Sequence, residues 1–99
     1  MDPKFGYNIS WSPFEEIISR SVEAEKFGFD SLWYHDHLMI PGHAPVFESF
    51  SLLTALATKT NRCKIGQTVM DVSRRHPATI AQSALTLNHI SNGRAFLGL

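Results

Sequence analysis

The densest group of polar side chains in this sequence is the tripeptide His35-Asp36-His37. Imidazole titrates near neutral pH and a neighbouring carboxylate can hold it in one tautomer, so His37 with Asp36 is a candidate pair for acid–base catalysis. At the spacing of a strand, His35 and His37 would point to the same side, as two ligands of a metal ion do. The stretch offers no further ligands, so we predict no metal site. From these residues alone, a structural role at the start of a loop stays as open as catalysis.

A second polar group, Arg74-Arg75-His76, stands directly before a predicted helix that Pro77 opens. Free N–H groups at a helix N-terminus favour negative charge, so the two arginines could hold an anion there. The alternative is that His76 caps the helix while Arg74 and Arg75 are solvated. We favour this structural interpretation.

The elements that must position these groups alternate between strands and helices. The predicted strands comprise residues 4–9, 31–35, 64–70 and 94–99. Their starts recur about every 30 residues, the length of a βαβ unit, which predicts parallel strands joined by right-handed crossovers. Both doubly wound sheets and (β/α)8 barrels show this pattern. The loop after the first strand lacks a glycine-rich phosphate motif, which disfavours a Rossmann site or a P-loop.

Three helices are predicted between these strands. Ser12 and Glu15 form a potential capping box around Pro13, and Gly28 supplies the stop of the first helix. The second helix carries apolar residues from position 50 and ends near residues 60–61. The third begins at Pro77 and ends at residues 92–93. Since ligands of parallel α/β folds lie at the C-terminal ends of strands, the candidate site comprises residues 10–11, 35–37 and 69–71.

Composition limits the class of protein. The formal net charge is zero and 43% of the residues are hydrophobic, which argues against a nucleic-acid partner and against disorder. Cys63 is the single cysteine, and no segment has the pattern of a secretory signal or a membrane helix. We therefore expect a soluble, cytoplasmic protein with a small-molecule substrate and no membrane partner. His43 and His89 are interpreted as surface residues.

Several sequence motifs, taken together and in order, resemble the luciferase-like family of flavin and deazaflavin enzymes. These are the run 27–33 followed by Asp36-His37, the run 74–78, and the run 87–94. The resemblance implies a (β/α)8 barrel of roughly three times this length that works as a dimer. Residues 1–99 would then be the N-terminal β-α-β-α-β-α-β portion of one barrel domain, truncated and inactive alone.

The resemblance is strongest to the branch that uses the deazaflavin coenzyme F420, such as methylenetetrahydromethanopterin reductases. It implies that His37 lies near the reactive ring, with Asp36 beside it. It also implies that the third strand, at residues 66–70, forms a bulge behind the ring, with a non-proline cis peptide at Thr68-Val69. The expected cofactor contacts are His37, Gln67, Thr68 and Val69.

The expected function is hydride transfer between coenzyme F420 and a small organic substrate. The alternative within the family is an FMN-dependent monooxygenase that uses molecular oxygen. Two alternatives from other classes are a metal-dependent hydrolase built on His35 and His37, and a flavin-binding module without turnover. Dehydrogenases of the deazaflavin branch often have a Trp a few residues after the His, and this chain lacks it.

Overall fold

The computed structural model of the chain describes residues 2–42 and 45–99, so His43 lies outside the described residues. The elements, in chain order, are β1 (Gly6–Asn8), α1 (Phe14–Lys26), β2 (Ser31–Tyr34), α2 (Ser49–Lys59), β3 (Lys64–Gln67), α3 (Pro77–Ile90) and β4 (Ala95–Phe96). This order confirms the predicted alternation. Strands β2 and β3 begin where predicted and end earlier, while β1 and β4 are shorter at both ends, because pairing with a neighbour stops before the apolar pattern does.

The four strands form one parallel sheet in the order β1-β2-β3-β4. Leu32 pairs with Ile65 and Tyr34 with Gln67, so the even residues of β2 share a face with the odd residues of β3. That face is covered by the helices, and Leu32, Tyr34 and Ile65 are fully buried there. Sequential parallel strands in this order, with helices on one face, are what the opening part of a (β/α)8 barrel requires.

The opposite face of the sheet carries Ser31, Trp33 and Phe96, and none of the helices in the described part of the chain covers it. The Trp33 and Phe96 rings lie 6.1 Å apart across this face. Gly66 pairs with Trp33, and a Cβ at Gly66 would lie 2.6 Å from the Phe96 carbonyl oxygen, so only glycine fits between these strands. In a barrel this face would be the interior.

The start of helix α1 differs from the prediction. Pro13 occupies the N-cap position, and no side chain caps the helix. The Ser12 hydroxyl instead accepts a hydrogen bond from Arg20 Nη1 at 3.2 Å, and lies 3.3 Å from the Ser10 hydroxyl. The capping box is therefore wrong, because the helix begins one residue later than predicted and leaves Ser12 outside the N-cap position. The predicted stop is confirmed: Gly28 has a φ of 101°, which a residue with a Cβ rarely adopts.

The last turn of α2 is joined to the start of β4 by Arg94. Its guanidinium donates to the carbonyl oxygens of Ala57, Thr60, Cys63 and Ser91 and to the Thr60 hydroxyl, at 2.7–3.1 Å. Five N–H groups thus meet five acceptors, and the cation lies at the negative end of the helix dipole. This buried side chain thus connects α2, the start of β3 and the start of β4 at the end of the sheet away from the candidate site.

Candidate functional site

Asp36 links the two loops that follow β2 and β3. Its carboxylate receives a bidentate pair of hydrogen bonds from Arg75, at 2.5 and 2.8 Å. It also accepts from the Ser49 hydroxyl at 2.9 Å and from the Asp71 backbone N–H at 2.8 Å. Arg74 lies 3.1 Å from the same carboxylate and donates to the Asp36 carbonyl oxygen. The side chain is 2% exposed, so this cluster is a buried and fully hydrogen-bonded anion.

The ionised state of Asp36 follows from this cluster. Burial alone would raise the pKa of the carboxyl group, but the hydrogen bonds from Arg75, the Asp71 N–H and Ser49 outweigh it. The pKa of Asp36 is therefore held well below its ordinary value, and the same contact raises the pKa of Arg75. Arg75 also donates to Glu48, whose carboxylate caps α2 through the N–H groups of Phe50 and Ser51.

In the segment before α3, the structure confirms the predicted role of His76 and corrects the prediction for the arginines. His76 is the N-cap of α3, and its Nδ1 accepts from the Ala78 N–H at 3.1 Å. The prediction that the two arginines are solvated is wrong for Arg75, whose side chain is 12% exposed, while Arg74 is exposed and also forms ion pairs. Arg75 is bound to Asp36 and Glu48, while Arg74 bridges Asp36 and Asp71. The anion that the basic pair holds is therefore the protein's own carboxylate, brought near by the parallel pairing of β2 and β3.

The chain that continues β3 beyond Gln67 contains a bulge, and it is still hydrogen-bonded to the chain that continues β4. The Ile65 N–H donates to the Arg94 carbonyl and the Met70 N–H donates to the Gly98 carbonyl. The donors are five residues apart (65 to 70) and the acceptors four (94 to 98), so β3 contains one extra residue. The extra residue is at Val69, which is 60% exposed, while Met70 takes the buried position at 4%.

The peptide bond between Thr68 and Val69 is cis, as the family resemblance implied. The Thr68 N–H still donates to the Tyr34 carbonyl at 2.8 Å, so the bulge begins after this residue. A Cβ on Gly98 would lie 2.0 Å from the Gln67 carbonyl oxygen. Glycine at position 98 therefore lets β4 pass close to the start of the bulge.

An open cleft of about 390 Å³ lies between the two loops at the C-terminal ends of β2 and β3. Its lining comprises Asp36, His37, Leu38, Thr68, Val69, Met70 and Asp71. His37 is exposed on the β2 side and Val69 is exposed on the β3 side. The Asp36 cluster fixes the separation of the two sides, because Asp36 belongs to one loop while Arg74 and Arg75 belong to the other.

His35 lies beneath His37 in a cluster of rings. Its ring centre is 4.1 Å from that of Tyr34, 5.1 Å from that of Trp11 and 5.1 Å from that of His37. Burial lowers the pKa of His35 to about 4; the nearby His37 acts in the same direction, and Asp36 opposes both. The His35 ring is therefore neutral at neutral pH.

The structure brings His37, Thr68 and Val69 to the cleft and places Asp36 at its edge. It does not bring the side chain of Gln67 there. Gln67 is 1% exposed on the face of β3 that the helices cover, and its amide nitrogen and oxygen have no hydrogen-bond partner among the described residues. Sequence reasoning missed the part that Ser49 plays, since a serine at a helix start carries no signal of a distant carboxylate.

Two further findings concern the described part of the chain. Within residues 2–42 and 45–99, no group of three or more His, Cys, Asp or Glu side chains could hold a metal ion. None of the helices found there has the length and apolar character needed to cross a membrane.

Comparison with known proteins gives consistent relatives. A profile of the luciferase-like monooxygenase family matches residues 4–99. An F420-dependent glucose-6-phosphate dehydrogenase from Amycolatopsis mediterranei (strain U-32) is 37% identical over 103 residues, which cover 97% of this chain and 30% of the relative. The chain thus spans about a third of the length of the curated relatives it matches.

Solved structures agree in fold. An F420-dependent secondary alcohol dehydrogenase in complex with an F420-acetone adduct superposes with a TM-score of 0.86 at 25% identity, over 98% of this chain and 31% of that one. A coenzyme F420-dependent tetrahydromethanopterin reductase from Methanopyrus kandleri superposes with a TM-score of 0.84 at 28% identity, over 98% and 26%. With the parallel sheet, the bulged third strand and a family match over residues 4–99, the chain belongs to the luciferase-like monooxygenase family.

Proposed function

We propose that this chain forms the opening part of a (β/α)8 barrel enzyme that transfers hydride between coenzyme F420 and a small organic substrate. The observation that carries the proposal is the cleft in which exposed His37 faces the Val69 bulge, at the strand ends where ligands of this fold bind. The F420-dependent names of the relative and of both structural neighbours support this choice of cofactor.

The residues of the cleft fit a planar, partly apolar ring. Val69 offers an exposed apolar side chain. The Thr68 side chain is small enough to lie beside such a ring. His37 adds one imidazole at the rim, the type of group that donates or accepts a proton near neutral pH. A bound deazaflavin would supply a ring carbon that accepts or releases hydride.

Each residue of the site would then have a distinct role in the reaction. When hydride leaves or joins a substrate carbon, the adjacent heteroatom must lose or gain a proton, and we assign that proton to His37. Thr68 and Val69 support the ring from the β3 side. We assign Asp36 a positioning role, since its carboxylate oxygens are bound to Arg75, Ser49 and the Asp71 N–H. Gln67 would contribute to the cofactor site through the backbone that leads into the bulge.

The proposal also includes the localisation and the oligomeric state of the enzyme. We infer a cytoplasmic homodimer, with these 99 residues belonging to a single barrel domain. The support is the family resemblance together with Cys63, which is a free and buried thiol.

The test uses the barrel protein that contains this chain. Titration with coenzyme F420 should give saturable binding, and reduction of the bound cofactor should need an organic substrate and consume no oxygen. His37→Ala should lower kcat by about 100-fold while the Kd for F420 changes less than about threefold. The control is His89→Ala, on the exposed side of α3. Tight binding of FMN with substrate-dependent oxygen uptake, or an unchanged kcat in His37→Ala, would contradict the proposal.

A further inference from the structure

One polar group at the candidate site has no role in the proposed reaction, and that group is the His35 ring. Both of its nitrogens are buried and neither has a hydrogen-bond partner among the described residues. A buried polar group without a partner is destabilising, so such groups are rare and usually meet a partner in the working protein. Two neighbouring polar groups already have partners: Asp36 is bound by two arginines, and the Tyr34 hydroxyl accepts from the Phe47 N–H.

Among the described residues, His37 is within reach as a partner for the His35 ring. An imidazole nitrogen lies about 1.15 Å from its ring centre, so an N–H···N bond of about 2.8 Å holds two ring centres about 5.1 Å apart. The observed separation of the His35 and His37 ring centres is 5.1 Å, with the ring planes at 43°. The distance between the ring centres therefore fits an N–H···N bond in which one nitrogen of each ring lies close to the line between the centres, and rotation of the rings would have to align these nitrogens. His37 is exposed and free to turn, while Tyr34 and Trp11 pack on His35.

A histidine that moves a proton needs a second group that fixes its tautomer and orientation. The sequence suggested Asp36 for this task, but its carboxylate is bound to arginines, Ser49 and a backbone N–H. His35 is uncharged at neutral pH, so it can accept an N–H from His37 without placing a second positive charge beside it.

We propose that His35 is the positioning residue for His37: one His35 nitrogen accepts the inner N–H of the His37 ring and thereby directs the other His37 nitrogen into the cleft. In this arrangement His37 takes or releases its proton at the outer nitrogen, while the inner N–H stays bonded to His35. The structural part needs only the two rings, and its kinetic consequence rests on the proposed function.

The first readout needs no cofactor. In the barrel protein labelled with ¹⁵N at histidine, the ring nitrogen shifts of His37 report its tautomer. We expect a single tautomer in the unmodified protein, and a mixture in His35→Phe, which keeps a ring against Tyr34 and Trp11 but has no nitrogen. His35→Gln keeps a donor and an acceptor and should retain the single tautomer. His89→Phe, a change of an exposed histidine on α3, should leave it unaltered.

The second readout is kinetic. His35→Phe should lower kcat by about 10- to 100-fold with a KM for F420 within about twofold, the loss typical of removing a group that orients a functional histidine. His35→Gln should recover at least about a third of the wild-type kcat. A recovery by glutamine distinguishes a hydrogen bond from ring packing, since glutamine has no ring.

The proposal is overturned if His37 in the unmodified protein is an even mixture of tautomers, a result that requires no variant to fold. It is equally overturned if His35→Phe matches wild type in tautomer and kcat, or if phenylalanine and glutamine lower kcat and Tm alike. Absence of F420 turnover together with a His35-dependent His37 tautomer would reject the proposed function and support the positioning role.

Discussion

Replacing Asp36 by asparagine tests whether one buried carboxylate joins the two loops of the cleft. Asparagine has nearly the same shape but no charge, and it offers only one acceptor oxygen where Asp36 uses two. The Ser49 hydroxyl and one arginine N–H can still be accepted. The second Arg75 hydrogen bond and the Asp71 N–H would face an amide NH₂ group, which is itself a donor.

The expected loss in the free energy of unfolding follows from the burial of the Asp36 carboxylate. Removing one member of a buried ion pair costs about 3–5 kcal/mol, because the other charge stays buried without its partner. Asp36 is 2% exposed, but Arg75 keeps Glu48 as a second anion at 3.0 Å. We therefore expect Asp36→Asn to lower the free energy of unfolding by about 3 kcal/mol, at the lower end of that range.

The assay is equilibrium denaturation of the barrel protein, with Glu16→Gln as a matched control. Glu16 forms an ion pair with Arg20 on the surface of α1, and its side chain is 51% exposed. That change should cost less than about 0.5 kcal/mol. If Asp36→Asn and Glu16→Gln cost the same within about 0.5 kcal/mol, the reasoning about the Asp36 cluster is refuted.

The pH dependence of stability gives a second test of the Asp36 cluster. The pKa of Asp36 is lowered in the folded state, so the unfolded chain binds this proton first as the pH falls. The stability that Asp36 contributes is complete above about pH 4 and is lost as the pH falls from there toward the depressed pKa of the folded protein. The difference in stability between wild type and Asp36→Asn should therefore shrink below about pH 4.

Three further changes test contacts that position the site, each by thermal and denaturant unfolding. His76→Ala should cost about 1 kcal/mol through loss of the α3 cap, and His76→Asn should restore most of it. Gly98→Ala should cost about 1–3 kcal/mol, because the new Cβ would meet the Gln67 carbonyl at 2.0 Å and backbone must move. Arg94→Met should cost about 3–5 kcal/mol, since it leaves several buried carbonyl oxygens without a donor. A cost under about 0.5 kcal/mol for any of these would contradict the contact concerned.

Much of the fold could be predicted from local chemistry. Gly28 after α1 and Pro77 at the start of α3 set helix ends whose causes lie within a few residues. The recurrence of strands about every 30 residues gave the parallel order, because a βαβ unit has that length and a fixed hand. Local signals also placed His37 at the end of a strand, where ligands of this fold bind.

The parts that could not be predicted depend on residues distant in sequence. Ser12 is not the cap, because α1 begins one residue later, and its hydroxyl instead accepts from Arg20, a contact that motif spacing does not reveal. The partners of Arg75 could not be read from its neighbours, since Asp36 precedes it by 39 residues. The bulge at Val69 came from family resemblance, because the strand pattern predicts an uninterrupted run through Met70.

The central claim is that the cleft between the loops after β2 and β3 receives the deazaflavin ring. Two exposed valines offer a matched pair for testing it: Val69, 60% exposed, lines the cleft, while Val72, 55% exposed, does not. Binding of F420 should be measured by titration with Val69→Trp and Val72→Trp, whose Tm values should match wild type. The account predicts a Kd raised at least about tenfold, or about 1.4 kcal/mol, by Val69→Trp and changed less than about twofold by Val72→Trp. Equal affinities in the two variants would contradict it.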